Sequence, residues 1–137
     1  MKWDPPVEEF TTPNPVTATE GQSIDELRQL MQQTGVRHLP ILRDGKVVGL
    51  VSDRDLRVAQ GLSDEHKFQV CAADIMSTDP VSVSSSAPLD EVAYTMSERK
   101  IGSVLVNEEN GDFLGIFTVT DALNALIEIS RAQRRGD

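Results

Sequence analysis

Two places in this 137-residue chain set a hydroxyl side chain three positions before an aspartate, each at the end of an apolar run. The first is Gly49-Leu50-Val51-Ser52-Asp53-Arg54-Asp55 and the second is Gly115-Ile116-Phe117-Thr118-Val119-Thr120-Asp121. The apolar residues suit a buried strand, and the residues after each hydroxyl suit the start of a helix. Side-chain oxygens at such a boundary satisfy orphan amides, and the amides of a first helical turn attract anions. Ser52 with Asp55, and Thr118 with Asp121, are therefore placed to hold a sugar hydroxyl beside a phosphate. The bland reading of the same residues is that they only cap their helices.

The elements around both motifs repeat in the same order. Pro13-Asn14-Pro15 forces extended or turn geometry, and Val16-Thr17-Ala18 comes next as a short strand. Ser23 and Glu26 form a capping box, Ile24, Leu27, Leu30 and Met31 share one helix face, and Gly35 closes that helix. Val36–Leu42 and Lys46–Val51 read as a hairpin around Asp44-Gly45, and Asp53–Gln60 as a short helix closed by Gly61. From Asp79 the pattern restarts: Asn14-Pro15-Val16-Thr17 returns 65 residues later as Asp79-Pro80-Val81-Ser82, and Met31 returns as Met96. Leu89, Val92 and Met96 renew the helix face, and Val104–Val106 with Phe113–Phe117 renew the hairpin. The second hairpin loop is one residue longer, so Gly49 and Gly115 stand 66 apart. An insertion confined to a loop is what a duplicated fold tolerates. A final helix runs from about Asp121 through Leu123, Leu126 and Ile129, with Arg131, Arg134 and Arg135 near its negative end.

Composition narrows the function classes. A net charge of −9 argues against non-specific binding to nucleic acid or to anionic membranes, so any phosphate must be held by local donors. The single Cys71 cannot form an internal disulfide and fits a reducing compartment. No apolar run nears the roughly 20 residues that span a bilayer, and Met1–Pro6 does not read as a signal peptide. The expectation is a cytoplasmic protein with no membrane or nucleic-acid partner. No metal site is expected: Asp53 and Asp55 form an Asp-x-Asp, but Val119 breaks it in the second copy, and His38 and His66 lack a clustered second ligand. Cys71 reads as a small packed side chain. No nucleophile, base and orienting group stand together, so the expectation is no enzyme and no catalytic residue.

The paired motifs, with Pro-Val-Thr or Pro-Val-Ser before each first helix and Asp74-Ile75-Met76-Ser77-Thr78-Asp79-Pro80 opening the second unit, resemble a tandem CBS domain protein, a free-standing CBS pair or Bateman module. The resemblance implies an α+β fold of two βαββα CBS repeats packed through their sheets with pseudo-twofold symmetry. The corresponding division is a lead-in (1–12), repeat 1 (13–61), a connection (62–73), repeat 2 (74–130) and a tail (131–137). It also implies clefts between the repeats that bind AMP, ADP or ATP, and less often NAD or S-adenosylmethionine, with energy sensing as the role and a homodimer as the assembly.

Carried onto this chain, the resemblance assigns Asp55 and Asp121 to the ribose hydroxyls, a role suited to a carboxylate with acceptor capacity for two donors. Ser52 and Thr118 fall beside ribose or phosphate, and Arg54 and Thr120 near phosphate. Arg37 and His38, with Gly102 and Ser103, fall where the clefts face each other, and Val36 and Ile101 fall near the purine. The Asp55 site has the bidentate donor Arg54 where the Asp121 site has Thr120, so it is expected to be the stronger for phosphorylated ligands. Two functions are open to such a chain: a regulatory, non-catalytic nucleotide-binding module acting on an unnamed protein target, or an interaction module with empty clefts that associates through an apolar surface.

Overall fold

The computed structural model describes residues 4–61 and 70–136. The chain divides into two compact units: one is residues 15–80, and the other joins the residues up to Asn14 to those from Val81 onward. The described part of the lead-in carries ordered secondary structure. It forms a 3-10 turn at Val7–Phe10 and a two-residue strand β1 (Thr12–Pro13). Val7 is fully buried in the core of the unit formed mainly by residues 81–136. Tertiary pairing overrides a polar, proline-rich sequence here.

The unit of residues 15–80 has the expected β-α-β-β-α order. Strand β2 (Ala18–Thr19) leads to α1 (Ile24–Thr34), then to β3 (His38–Arg43), β4 (Lys46–Ser52) and α2 (Asp53–Ala59). Helix α1 opens with the predicted box: the Glu26 amide donates to Ser23 Oγ at 3.1 Å, and the Ser23 amide donates to Glu26 Oε1 at 3.3 Å. Ile24, Leu27 and Met31 bury one face against Leu39, Ile41, Val51 and Leu56. Each fully buried aliphatic side chain of this kind contributes about 1.5–3 kcal/mol. β3 and β4 pair antiparallel and β2 pairs parallel to β3. Asp44 and Gly45, both at positive φ, make the tight turn. Helix α2 ends on Gln60 in a right-handed conformation, so Gly61 does not close it. A single helical turn, α3 (Ala72–Ile75), adds the buried Ala72 to the same core.

The second unit repeats the order with β5 (Ser82–Ser84), α4 (Leu89–Arg99), β6 (Ser103–Asn107), β7 (Phe113–Thr118) and α5 (Val119–Arg135). Its sheet runs β1-β7-β6-β5, with β1 antiparallel to β7. Val92, Met96, Val104, Val106 and Phe117 form the core. Helix α5 meets this core through Ala122, Ala125 and Ile129, while Leu123 and Leu126, which mark the helix in the sequence, stay exposed.

The duplicated glycine has a steric reason in both units. Thr12 and Pro13 lie opposite Ile116 and Gly115, and a Cβ on Gly115 would overlap the Thr12 carbonyl oxygen. In the other unit Leu50 and Ser77 exchange amide–carbonyl hydrogen bonds of 3.1 and 2.9 Å, and a Cβ on Gly49 would meet the Met76 side chain and the Ser77 carbonyl oxygen. The helix ends differ between repeats. Gly35 caps α1 at φ 77°, whereas Lys100 caps α4 in the same left-handed region at φ 55°. A side chain there costs about 1 kcal/mol. Lys100→Gly should therefore raise unfolding stability by about 1 kcal/mol, and Gly115→Ala should lower it by about 1–3 kcal/mol through overpacking against backbone. Urea denaturation of both variants checks this; an unchanged midpoint for Gly115→Ala would refute the close-approach explanation.

Candidate functional site

Both motifs form reciprocal caps at a strand-to-helix junction. The Ser52 amide donates to Asp55 Oδ2 at 2.8 Å, and the Asp55 amide donates back to Ser52 Oγ at 3.2 Å. The Thr118 amide donates to Asp121 Oδ2 at 2.9 Å, and the Asp121 amide donates to Thr118 Oγ1 at 3.3 Å. The first helical amide is also tied down in each copy, Asp53 N–H to the Arg37 carbonyl at 2.8 Å and Val119 N–H to the Gly102 carbonyl at 3.1 Å. The capping role is therefore real, and it holds each carboxylate in place. In both copies the oxygen that caps the strand-end amide is Oδ2.

The copies differ in what else the carboxylate touches. Asp55 Oδ1 accepts no hydrogen bond among the described residues. Asp121 Oδ1 accepts from Thr12 Oγ1 at 3.1 Å, and Asp121 Oδ2 accepts from the Thr118 hydroxyl at 3.1 Å as well as from the amide. Thr12 is the residue that sequence reasoning missed. It stands 65 positions before Ser77, inside the lead-in, so extending the repeat backward from Ser77 would have found it.

Strand register brings further predicted residues to the caps. His38 lies opposite Ser52, and Ser103 lies opposite Thr118. Ser103 is buried, and Ile101 packs half-buried against the core of its unit. Val36 and Arg37 line a cavity of about 340 Å³ with Met31, Asp53, Leu56 and Gln60; Ser52, Arg54 and Asp55 are not part of it. Asp53 and Asp55 are two residues apart on a helix, about 200° around its axis, so this cavity lies on the Asp53 side of α2. Of the arginines in the 15–80 unit, Arg28, Arg43 and Arg57 pair with Asp25, Glu20 and Asp53. Arg37 and Arg54 pair with no carboxylate among the described residues. Both are exposed. Thr120, the counterpart of Arg54, is exposed on α5 and brings no charge.

The two remaining reactive types are accounted for in part. Cys71 is half-exposed at the start of α3, where its amide donates to Asp74 Oδ2 at 3.0 Å and its thiol lies 3.4 Å from the same oxygen. These bonds, the amide first, hold the Asp74 carboxyl below its ordinary value. Among the described residues no group of three His, Cys, Asp or Glu side chains is placed to hold a metal. His66 lies outside the described residues. No described helix is long and apolar enough to cross a membrane.

Two βαββα units, each with a carboxylate-braced helix start after its third strand, define a tandem-repeat α+β architecture. The chain belongs to the CBS domain family, whose model matches it twice, over residues 7–61 and 72–128. It is similar to CBSX2, solved in complex with AMP (27% identity, TM-score 0.79, covering 92% of this chain and 98% of that one). It is also similar to AcuB of Vibrio cholerae, assigned to acetoin utilization (31%, TM-score 0.85, 98% and 99%). The CBS pair of MJ0100, solved with 5′-methylthioadenosine and S-adenosyl-L-methionine, matches at 26% with a TM-score of 0.80 over 93% and 99%. Among curated sequences, the inosine-5′-monophosphate dehydrogenase of Korarchaeum cryptofilum is 31% identical over 83% of this chain, which spans only 23% of that enzyme.

Burial, the largest influence, holds the His38 imidazole below its ordinary value of 6.5; nearby Asp53 and Asp55 oppose this, and Arg37 adds to it. The unfolded chain thus takes up a proton at His38 before the folded one does. Stability from this residue is whole above pH 6.5 and falls as the pH drops below it toward the folded value. The lowered carboxylates of Glu20, Asp74 and Glu109 lose their contribution only further down, below their ordinary range. Between about pH 7.5 and 5.5 the thermal midpoint should therefore fall less for His38→Gln than for the parent chain. Parallel slopes in a pH series of melts would refute it.

Proposed function

We propose that this chain is a regulatory, non-catalytic module that binds an adenosine-containing ligand of the AMP, ADP or ATP class in clefts at the braced helix starts of its CBS repeats. The observation that carries the reading is the Asp55 carboxylate, braced through Oδ2 with Oδ1 unengaged among the described residues, beside Arg54, which pairs with no carboxylate among them. A fixed carboxylate accepts from the two hydroxyls of a ribose, and a guanidinium supplies the phosphate donor that an acidic chain must provide locally. The ligands of two similar proteins, AMP on one and 5′-methylthioadenosine with S-adenosyl-L-methionine on the other, share the adenosine group and differ at its 5′ end. That pattern supports recognition through ribose and purine, with the 5′ substituent chosen by residues such as Arg54 and Arg37. NAD and S-adenosylmethionine rank below the nucleotides here because neither matches a lone arginine–phosphate contact as directly. His38, Val36, Ile101, Gly102 and Ser103 complete the proposed clefts.

Occupancy must favour one arrangement of repeats or subunits over another to signal energy status to a protein target. We place this action in the cytoplasm, with a homodimer as the working assembly. One observation supports self-association: Val119, Leu123, Leu126 and Ile127 recur at helical spacing on α5 and are all exposed, Leu126 by 62%. The same stripe favours the second reading, an interaction module whose clefts stay empty.

Titration calorimetry with AMP separates them. Asp55→Asn should weaken binding by at least about tenfold, the scale of a hydrogen bond to a charged group. Arg54→Ala should cost more affinity than Thr120→Ala. Equal losses would refute the asymmetry, and no heat from AMP, ADP or ATP at millimolar concentration would leave the interaction module as the better reading.

A further inference from the structure

The two braced carboxylates do not have the same acceptor capacity left. An ionised aspartate offers about four lone-pair positions on its two oxygens. At Asp55 one is taken among the described residues, by the Ser52 amide. At Asp121 three are taken, by the Thr118 amide, the Thr118 hydroxyl and the Thr12 hydroxyl. A vicinal diol needs two, so about three remain at Asp55 and about one at Asp121. Thr12 reaches Asp121 because β1 is seated on β7: Pro13 lies opposite Gly115, the Asn14 amide donates to the Leu114 carbonyl at 3.4 Å, and the missing Cβ of Gly115 leaves room for the Thr12 carbonyl. The equivalent segment in the other unit seats Ser77 over Gly49 in the same manner, and the Ser77 hydroxyl makes no bond to Asp55.

We infer that Thr12 is an internal stand-in for a ligand hydroxyl, which keeps the Asp121 carboxylate closed to a ribose diol and limits the chain to one high-affinity nucleoside site at Asp55. The inference rests on the proposed reading of Asp55 and Asp121 as ribose acceptors. It makes Thr12 a selectivity-determining residue that touches no ligand: at Asp121 a diol must first displace the threonine hydroxyl. Removing that hydroxyl frees a second acceptor position, the number a diol requires.

Thr12→Val keeps the β-branched shape and the β1 backbone but deletes the donor, while Thr12→Ser restores it. Calorimetry with AMP on the full chain should give one strong site for the parent and for Thr12→Ser. Thr12→Val should add a second site, tightened by at least about tenfold. In an Asp55→Asn background, Thr12→Val should recover one site, which a further Asp121→Asn should abolish. If the parent binds through Asp55 and Thr12→Val changes neither stoichiometry nor affinity, the stand-in is overturned and the ribose reading survives. If neither the parent nor Thr12→Val binds AMP, both are overturned. Circular dichroism melts identify a misfolded Thr12→Val, and the same second site must then appear in Thr12→Ala for the inference to hold.

Discussion

The carboxylate that reaches back from the third helical residue to the amide ending the preceding strand is the contact on which both halves of this chain depend. It sets the angle at which β4 enters α2 and β7 enters α5, and it satisfies a donor that the turn would otherwise leave open. The same bond decides what chemistry remains. An aspartate is the shortest carboxylate that closes this box, and closing it consumes one side of the group. On the proposed reading, capping and recognition compete for the same two oxygen atoms, and the hydrogen bonds already made among the described residues differ between repeats.

That difference originates in chain connectivity. Each unit receives the opening segment of the opposite repeat: residues before Asn14 join the second sheet, and Ala72 to Ser77 join the first. The family match begins its repeats at 7 and 72, so each repeat as a sequence unit differs from each compact unit as a folded one. Glycines at 49 and 115 admit these segments close to the strand that carries the cap. The two seats carry different hydroxyl residues, Thr12 over Gly115 and Ser77 over Gly49.

Much of this was legible in the sequence because it is local. The boxes at Ser23, Ser52 and Thr118, the Asp44-Gly45 turn and the two hairpins all depend on residues within a few positions of each other. The order of elements came from a repeat kept in register over 65 residues. The features that escaped are non-local. Nothing in Pro5-Pro6-Val7-Glu8-Glu9 announces that Val7 is buried, because the strand and helix that bury it lie some 80 or more residues away. Lys100 hides a left-handed cap for a different reason: the closure is made by backbone bonds, the Lys100 amide to the Met96 and Ser97 carbonyls and the Ile101 amide to Met96, with no glycine to mark it. On α5, Ala122 and Ala125 rather than the leucines meet the core, since small side chains allow the helix to approach the sheet.

The acid excess of the chain sharpens the role of its unpaired cations. With 22 acidic against 13 basic residues, three of the five arginines in the 15–80 unit find a carboxylate partner, and solvent screens such surface pairs. Arg37 and Arg54 pair with no carboxylate among the described residues, which costs little stability at exposed positions. Arg54 directly precedes Asp55, the braced carboxylate of the two motifs with the fewer acceptor positions engaged among the described residues. On the proposed reading, a ligand carrying both a diol and an anionic group answers the carboxylate and the guanidinium at once. A neutral nucleoside answers only the first, so the affinity gap between a nucleoside and its phosphate measures how far Arg54 and Arg37 turn towards the ligand rather than towards solvent.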